Sequence, residues 1–308
     1  MTLKKSDMQS NQGRYTKRQL LTLNAPEYPD CSDQTAWILG AGSSLIDIWD
    51  WQVPKNTKVI TMNSSILWAW EHYKDNQPDK VIMKGTELHS PDDYRRPVDY
   101  WFARDNAVFT PHKEPEKWYS QIAMRHPTMT KIVEQHNPVN EDMPNLHLVI
   151  CERDWQRVLT LNIPHNNRLM GGPTVLLTAL SFVYRCKFKR VILSGVDFCL
   201  VKRGGNLHGQ GQEIRRFMDL KNIRKNHELS DRRCSRENET KDTSGATVYQ
   251  CGMMRNHMNA GMSMIRKMQG EGIFFCKTSK TGMAYMPYIE TEKQLALIAS
   301  GAKIKYNE

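Results

Sequence analysis

A stretch near the N-terminus has the residue types of an anion-binding turn. Residues 35–51, TAWILGAGSSLIDIWDW, run from an apolar segment through Gly40, Gly42, Ser43 and Ser44 into a helical pattern. When a turn of small residues connects a strand to a helix, the backbone N–H groups of the turn point outward at the positive end of the helix dipole. The pattern predicts a place for a phosphate or another anion, and a tight turn without a ligand is the alternative.

A second turn of the same kind precedes the clearest helical pattern in the chain. The segment NNRLMGGPTVLL places Arg168, Gly171, Gly172 and Thr174 immediately before the apolar run. An arginine fork binds a phosphate with two parallel hydrogen bonds, which a lysine does not do. The two turns together predict a site that encloses an anionic nucleotide.

Polar residues also follow two strand-like runs. The run VILSGVDF ends in Ser194, Gly195 and Asp197, and TMNSS places Asn63 after an earlier run. Open α/β sheets bind ligands outside the carboxyl ends of their strands, so we expect these residues at the same site. Capping of a helix or turn is the alternative for Asn63 and Asp197.

Several common site classes do not fit. The dinucleotide fingerprint needs a third glycine, where this chain has Leu45, and an acidic residue about 20 positions on, which is absent. No GxxxxGK[ST] motif occurs, and the seven cysteines form no CxxC motif or Cys/His pair at metal-ligand spacing. The methionines of CGMMRNHMNAGMSMIRKMQG follow helical spacing, which is typical of a core face. No metal site is predicted.

Apolar runs of strand type alternate with helical patterns along the chain. The runs are AWILGAG, TKVITMNSS, DKVIMKGTE, LHLVICE, KRVILSGVDF and GIFFCKTS. Their alternation predicts an α/β fold with a mostly parallel, Rossmann-like sheet and helices on both faces. The predicted organisation is a basic tail at 1–34, a nucleotide-binding core at 35–200 with an irregular insertion at 90–144, a basic lid or insertion at 201–246, and a C-terminal helix and strand at 247–308 that complete the core.

The net charge of +10 leaves the class of partner open. Basic chains attract nucleic acids, anionic membranes and nucleotide phosphates alike. We interpret Tyr94, Tyr100, Trp101 and Phe102 as exposed aromatics, which with the charge favour contact with DNA. No apolar run reaches about 18 residues and the N-terminus lacks the apolar segment of a secretory signal, so we expect a cytoplasmic protein without a membrane span.

Three segments, taken in order, resemble a known family. ILGAGSSL, VITMNSS and RLMGGPTVLLTALSFVYRCKFKRVILSGVDF resemble the bacterial sialyltransferases of glycosyltransferase family 42 and their relatives in the domain-of-unknown-function 115 group. In that family a G-x-G-P-S-L turn ends the first strand, and an R-x-x-S-G segment and a helix precede L-S-G-x-D-F. The resemblance implies a variant glycosyltransferase-A fold, a nucleotide-sugar donor, no metal and no permanently bound cofactor.

The resemblance also implies roles for individual residues. The donor nucleotide would be lined by Gly40, Gly42, Ser44 and Asn63. Arg168 would lie near the donor phosphate, where it is also a catalytic candidate, followed by Gly172, with Gly171 in place of the family's serine. Ser194, Gly195 and Asp197 would lie beside the base or ribose, and Tyr249 matches a tyrosine that steadies the phosphate.

The catalytic base is less well defined. The family has a histidine after the lid, and the matching position here is Gly252 or its neighbour. His257, one helical turn further on, and His208 in GGNLHGQGQ are candidate bases because imidazole titrates near neutral pH. Asp197 and Glu87 are the candidate carboxylates, and a surface or packing role is the alternative for either histidine.

The sequence therefore favours a glycosyltransferase and leaves its acceptor open. The acceptor is a hydroxyl of a glycan or small molecule, or a hydroxylated base in modified DNA. The alternative is a Mg²⁺-dependent pyrophosphokinase-type phosphotransferase, since the 115 group includes pterin diphosphokinases, but no acidic pair at a strand end is evident. A nucleic-acid-binding protein without catalysis is the remaining possibility.

Overall fold

The computed structural model describes residues 26–69, 96–104, 123, 126, 128–134, 145–152, 168–172, 174–203, 206–208, 239–241, 247–250, 252–279 and 286–302. In chain order the strands are β1 (Thr35–Leu39), β2 (Thr57–Met62), β3 (Tyr100–Arg104), β4 (Thr130–Glu134), β5 (Leu146–Glu152), β6 (Arg168–Met170), β7 (Arg190–Ser194), β8 (Leu200–Arg203), β9 (Asn206–His208), β10 (Glu239–Lys241), β11 (Thr247–Tyr249) and β12 (Phe274–Lys277). The α-helices are α1 (Val175–Arg185), α2 (Gly252–Gly270) and α3 (Glu292–Ala299), and two 3₁₀ helices span Ser43–Ile48 and Asn63–Trp68.

A parallel sheet of eight described strands forms the centre of the fold. Its order is β12-β7-β1-β2-β3-β4-β5-β6, and each neighbouring pair is parallel. From β1 the chain adds strands on one side as far as β6, and it then returns to place β7 on the other side of β1. The direction of winding therefore reverses between β1 and β7, which is where open α/β sheets bind their ligands.

Buried side chains lie on both faces of this sheet. Trp37 and Leu39 of β1 belong to one apolar cluster, which the 3₁₀ helices and α3 cover, whereas Ala36 and Ile38 belong to the other, which α1 and α2 cover. Strands covered on both faces have nearly continuous apolar sequences, as these runs do. The prediction of a Rossmann-like α/β fold with helices on both faces is confirmed.

The segment 90–144, expected to be an irregular insertion, contributes β3 and β4 to the middle of the sheet. The expectation that its aromatics are exposed is wrong for Trp101 and Phe102, which are fully buried in β3, and Tyr100 is partly buried. The strand is short and flanked by prolines and charged residues, which obscures its apolar pattern. Tyr94 lies outside the described residues.

The region predicted as a basic lid is described only near its ends. β8, β9 and β10 join β11 in a separate antiparallel sheet with the order β10-β11-β8-β9. Residues 209–238, the N-terminal residues 1–25 and the predicted strand DKVIMKGTE with Glu87 lie outside the described residues. The lid and the boundaries of the domains stay predictions.

The methionine-rich segment forms α2, as its spacing indicates. Met264, Ile265 and Met268 are buried against α1 and the sheet, with Met258 and Met262 packed at the margin of the same cluster. The core interpretation of these methionines is confirmed. In the part of the chain that the structure describes, none of the helices combines the length and apolarity needed to span a bilayer.

Lys131 is a fully buried cation at the start of β4. Its Nζ donates to the carbonyl oxygens of His126 at 2.5 Å and Met129 at 3.1 Å, and burial lowers the pKa of the amine to about 8 from its ordinary 10.5. Desolvation disfavours the charged form, so the folded protein releases this proton at a lower pH than the unfolded chain does.

We therefore predict that the stability of the native chain, measured relative to Lys131→Met, rises between about pH 8 and pH 10.5. In that window the unfolded state binds more protons than the folded state, and the gain is at most about 3 kcal/mol. Urea denaturation across this pH range measures the free energy of unfolding of both proteins. Subtracting one from the other removes the contribution of the tyrosines and cysteines that both proteins share. A difference that stays constant or falls with pH contradicts the prediction.

Candidate functional site

The three sequence segments that resemble family 42 end side by side. β7, β1 and β2 are neighbours in the sheet, and each ends at its carboxyl edge in one of the polar segments identified from sequence. After β1 the chain turns to the face that Leu45 helps to bury, whereas after β7 it turns to the face that Phe198 helps to bury. The divergence of these two loops at the reversal of winding forms the candidate site.

The glycine turn after β1 is bound to the loop after β7. The backbone N–H of Gly40 donates to the carbonyl of Ser194 and that of Gly42 to the carbonyl of Gly195, both at 2.7 Å. These N–H groups, which the sequence predicted to point toward a ligand, are satisfied within the protein. The helix that follows is a 3₁₀ helix of six residues, not an α-helix.

Close contact between the loops explains why glycines occupy these positions. A Cβ built on Gly40 would lie 2.3 Å from the carbonyl oxygen of Gly195, and one on Gly195 would lie 2.3 Å from that of Gly40. Gly195 also has φ of +64°, which side chains rarely adopt. The glycine pattern therefore has a packing cause that is independent of any ligand.

Asp197 completes the contact between the two loops. Its carboxylate accepts from the backbone N–H of Ser44 at 2.8 Å and from the Ser44 hydroxyl at 2.5 Å, and the side chain is 2% exposed. A Cβ on Gly42 would lie 2.6 Å from the same carboxylate. Asp197 is thus brought to the site as predicted, where it binds the turn.

Ser194, at the end of β7, forms side-chain hydrogen bonds to the neighbouring strand β1 and to the residue that follows β12, its neighbour on the other side. Its Oγ accepts from Trp37 Nε1 of β1 and from the hydroxyl of Thr278 after β12, each at 2.8 Å. The hydroxyl is almost completely buried, so its partners lie in the core. Ser194 aligns the ends of β1, β7 and β12.

The end of β2 is fixed by a similar set of bonds. Asn63 has φ of +51°, and its carbonyl accepts from Trp101 Nε1 at 2.9 Å. The hydroxyl of Ser65 accepts from the N–H of Met62 at 2.7 Å and lies 2.6 Å from the carbonyl of Leu39, so it links the ends of β1 and β2. Asn63 starts the second 3₁₀ helix beside the glycine turn.

The second turn leads into α1 with a standard cap. Thr174 is the N-cap residue, and its Oγ accepts from the N–H of Leu176 at 3.3 Å. Gly172 packs on Leu177, because a Cβ there would lie 2.6 Å from the Leu177 side chain. Arg168 begins β6 at the other end of the sheet, and Gly171 follows that strand as a buried residue.

The start of α1 nevertheless reaches the loop after β7. Leu176 Cδ2 and the Phe198 ring both lie against Gly261 of α2, at 3.2 and 3.8 Å from a Cβ built there. Phe198 has φ of +50°, which for a bulky residue is an unusual and costly conformation. Its carbonyl accepts from Gln250 Nε2 at 3.2 Å, and this bond holds the strained loop.

The first turns of α2 carry His257 to the same edge. α2 ends next to the start of β12, so it runs antiparallel to the strands and its first turns lie at the carboxyl edge. Met258 confirms this placement because its sulfur is 3.4 Å from Gln250 Nε2, which also binds the Phe198 carbonyl. His257 itself is partly exposed. Tyr249 lies partly buried in β11, and His208 lies in β9; both strands belong to the small antiparallel sheet.

Sequence reasoning missed a buried polar run at the end of β12. Lys277, Thr278 and Ser279 are 4%, 9% and 8% exposed, next to the end of β7. The signal was present, since KTS directly follows an apolar run and strand ends carry site residues in this class of fold. Within the described residues, no group of three histidine, cysteine, aspartate or glutamate side chains is placed to hold a metal ion.

Comparison with known proteins finds similar folds at low sequence identity. No family model and no curated protein matches the chain. The MAf glycosyltransferase from Magnetospirillum magneticum is 13% identical with a TM-score of 0.50, and the match covers 91% of this chain but 38% of that one. The sialyltransferase CstII from Campylobacter jejuni, solved with cytidine-5'-monophosphate, is 13% identical over 82% of this chain and 86% of its own, with a TM-score of 0.37.

Cst-I, an α-2,3-sialyltransferase from the same organism, is 11% identical over 89% of this chain and 83% of its own, with a TM-score of 0.37. The match to the MAf protein shows a shared fold, and the chain spans 38% of the length of that protein.

Gly42→Ala should lower the thermal midpoint of unfolding. The new methyl group meets the Asp197 carboxylate and the Gly195 carbonyl, and such overpacking costs about 1–3 kcal/mol. Gly270→Ala is the matched control, because nothing lies within 4 Å of a Cβ at that helix end. Calorimetry of the three proteins tests this, and equal midpoints for Gly42→Ala and Gly270→Ala would rule out the steric role of Gly42.

Proposed function

We propose that this protein is a glycosyltransferase that transfers a sugar from a nucleotide-activated donor to a hydroxyl acceptor without a metal ion. The observation that carries the proposal is the convergence of three family-42-like segments at adjacent strand ends, β7, β1 and β2, where the winding of the sheet reverses. Segments spread over some 150 residues meet at the one edge where this class of fold binds ligands.

Donor binding is assigned to the edge formed by these loops. Asn63 and the glycine turn lie on one side of the reversal, and the Asp197 loop with the start of α1 lies on the other. Arg168 is assigned to the donor phosphate by the sequence resemblance alone; it begins β6 at the other end of the sheet, so the donor would have to extend along the carboxyl edge to reach it. An arginine fork offers the phosphate two bonds in fixed geometry, which orients the donor.

His257 is the proposed base that removes the proton from the acceptor hydroxyl. It lies in the first turns of α2, one residue before Met258, whose sulfur contacts Gln250 Nε2, and Gln250 in turn binds the Phe198 carbonyl in the loop that follows β7. A neutral imidazole can take a proton near physiological pH and increases the rate of such a step by about 10²-fold or more. His208, in the small sheet, is the competing candidate.

The structure weakens the case for a DNA acceptor. Two of the four aromatics that favoured it are buried in β3, while the net charge of +10 and the basic segment predicted as a lid still support it. A glycan or small hydroxyl acceptor is therefore the first choice, and the assay below includes both classes.

Nucleotide release from a donor tests the function directly. The protein is incubated in EDTA with CMP-, UDP- and GDP-sugars, together with an oligosaccharide or duplex DNA that carries hydroxymethylated bases. We expect release from one donor class without metal, increased by one acceptor class. Intact donors in EDTA, with ATP consumed once Mg²⁺ is added, would replace this proposal with a phosphotransferase.

Arg168→Lys should raise the KM for the donor about tenfold, since one charge-assisted hydrogen bond to the phosphate is lost while the charge remains. Arg185→Lys is the control, because Arg185 stacks on Tyr28 at the opposite end of α1. Steady-state kinetics with varied donor measure both. A similar KM for the two variants contradicts the role of Arg168.

His257→Asn should lower kcat about 10²-fold and remove the loss of activity at acidic pH, because the protonated imidazole can no longer form. His208→Asn should leave the pH profile unchanged. Rates measured across pH 5 to 9 decide between the two histidines. If His208→Asn shows the larger loss, the base is His208.

A further inference from the structure

The turn after β1 offers positions for an anion, and the chain fills one of them with its own carboxylate. Turns of small residues with outward N–H groups bind phosphate, sulfate or carboxylate. Here the N–H and hydroxyl of Ser44 both donate to Asp197, 153 residues away, while the N–H groups of Gly40 and Gly42 donate to carbonyls. Acceptors of the protein thus occupy the N–H groups of Gly40, Gly42 and Ser44 and the Ser44 hydroxyl.

The position of Asp197 also excludes a second anion. The carboxylate is 2% exposed and lies 2.6 Å from a Cβ built on Gly42, so it fills the space beside the turn. A phosphate at the same turn would meet a carboxylate within a few ångströms in a poorly solvated place, where like charges repel strongly.

The loop that carries Asp197 is built to hold it there. Gly195 and Phe198, on either side, both have positive φ, at +64° and +50°. The Phe198 ring packs against Gly261 and its carbonyl is bound by Gln250, so contacts on two sides maintain an unfavourable backbone. Strain maintained in this way is found at functional sites.

We propose that Asp197 is an internal anion that positions the glycine turn and keeps the donor phosphates away from it. The part of the donor that faces this turn is then uncharged, and the phosphates bind elsewhere along the carboxyl edge. The statement about the donor rests on the proposed function, whereas the role of Asp197 as the anion of the turn does not.

Rescue by a small carboxylate tests the internal anion. Asp197→Ala removes the carboxylate and leaves space and donors for another one, so its melting temperature should fall by several degrees and recover in sodium formate relative to sodium chloride of equal ionic strength. Asp197→Asn fills the same space with an amide that has one acceptor, so it should be destabilised and should not respond to formate.

Asp30→Ala is the matched control for the loss of a carboxylate. Asp30 is exposed and pairs with Lys187 at the surface, so its removal leaves no enclosed space for formate. We expect no formate-specific shift in Asp30→Ala or in the native chain. An Asp197→Asn protein as stable as the native chain, or a folded Asp197→Ala protein that formate does not stabilise more than chloride does, would overturn the proposal.

Nucleotide binding tests the consequence for the donor. The affinity for cytidine and for cytidine-5'-monophosphate is measured by calorimetry in the native chain and in Asp197→Asn. If the phosphate lies away from the turn, the ratio of the two affinities is the same in both proteins. A ratio that shifts strongly toward the monophosphate in Asp197→Asn places the phosphate at the turn and overturns this part.

Failure of the proposed function has a different signature. The same binding experiment is done with uridine, guanosine and their monophosphates. If none of these nucleosides and nucleotides, nor cytidine or its monophosphate, binds the native chain, the nucleotide-dependent function is wrong. The formate experiment still decides whether Asp197 is the anion of the turn.

Discussion

The contact between the loops that follow β1 and β7 is the constraint on which the rest of the carboxyl edge depends. Gly40 and Gly195 pack so closely that neither has room for a Cβ, and Asp197 binds both donors of Ser44. Hydrogen bonds to a charged acceptor contribute about 1.5–3 kcal/mol each, and more is lost when a buried charge is left without donors. The two loops therefore form a single rigid unit at the reversal of winding.

Buried hydroxyl groups extend this rigidity to the neighbouring strands. Ser194 connects β1, β7 and β12 through Trp37 and Thr278, and Ser65 connects β1 and β2. Each hydroxyl satisfies groups at a strand end that would otherwise be buried without partners, which is costly in a dry core. A site that must hold reacting groups within a fraction of an ångström needs such a foundation. Of the residues proposed for chemistry, His257 lies in α2, whose Gly261 contacts the Phe198 ring beside this unit, whereas Arg168 lies in β6 at the other end of the sheet.

The sequence predicts the strands and helices whose apolar pattern is continuous, and it predicts the polar residues at their ends. β3 and β4 were missed because YWFAR and TKIVE are short and include charged residues, one of which, Lys131, the fold buries with backbone carbonyls as partners. The partner of the glycine turn was also beyond prediction. Spacing shows that the turn favours an anion, but only the packing of β7 beside β1 shows that Asp197 supplies it.

The connection from β7 to α2 begins and ends at the same edge of the sheet. The segment between β7 and α2 leaves the main sheet after Phe198 and returns to it at Gln250. The hydrogen bond from Gln250 Nε2 to the Phe198 carbonyl joins its two ends. Within this segment, β8 and β11 pair as antiparallel strands, so its first and last strands lie side by side next to the carboxyl edge. β7, α2 and β12 form a connection of strand, helix and parallel strand by themselves. The core of the fold therefore does not need the segment between β7 and α2. Its attachment lies beside the Asp197 loop and, through Gln250, beside Met258 in the first turns of α2.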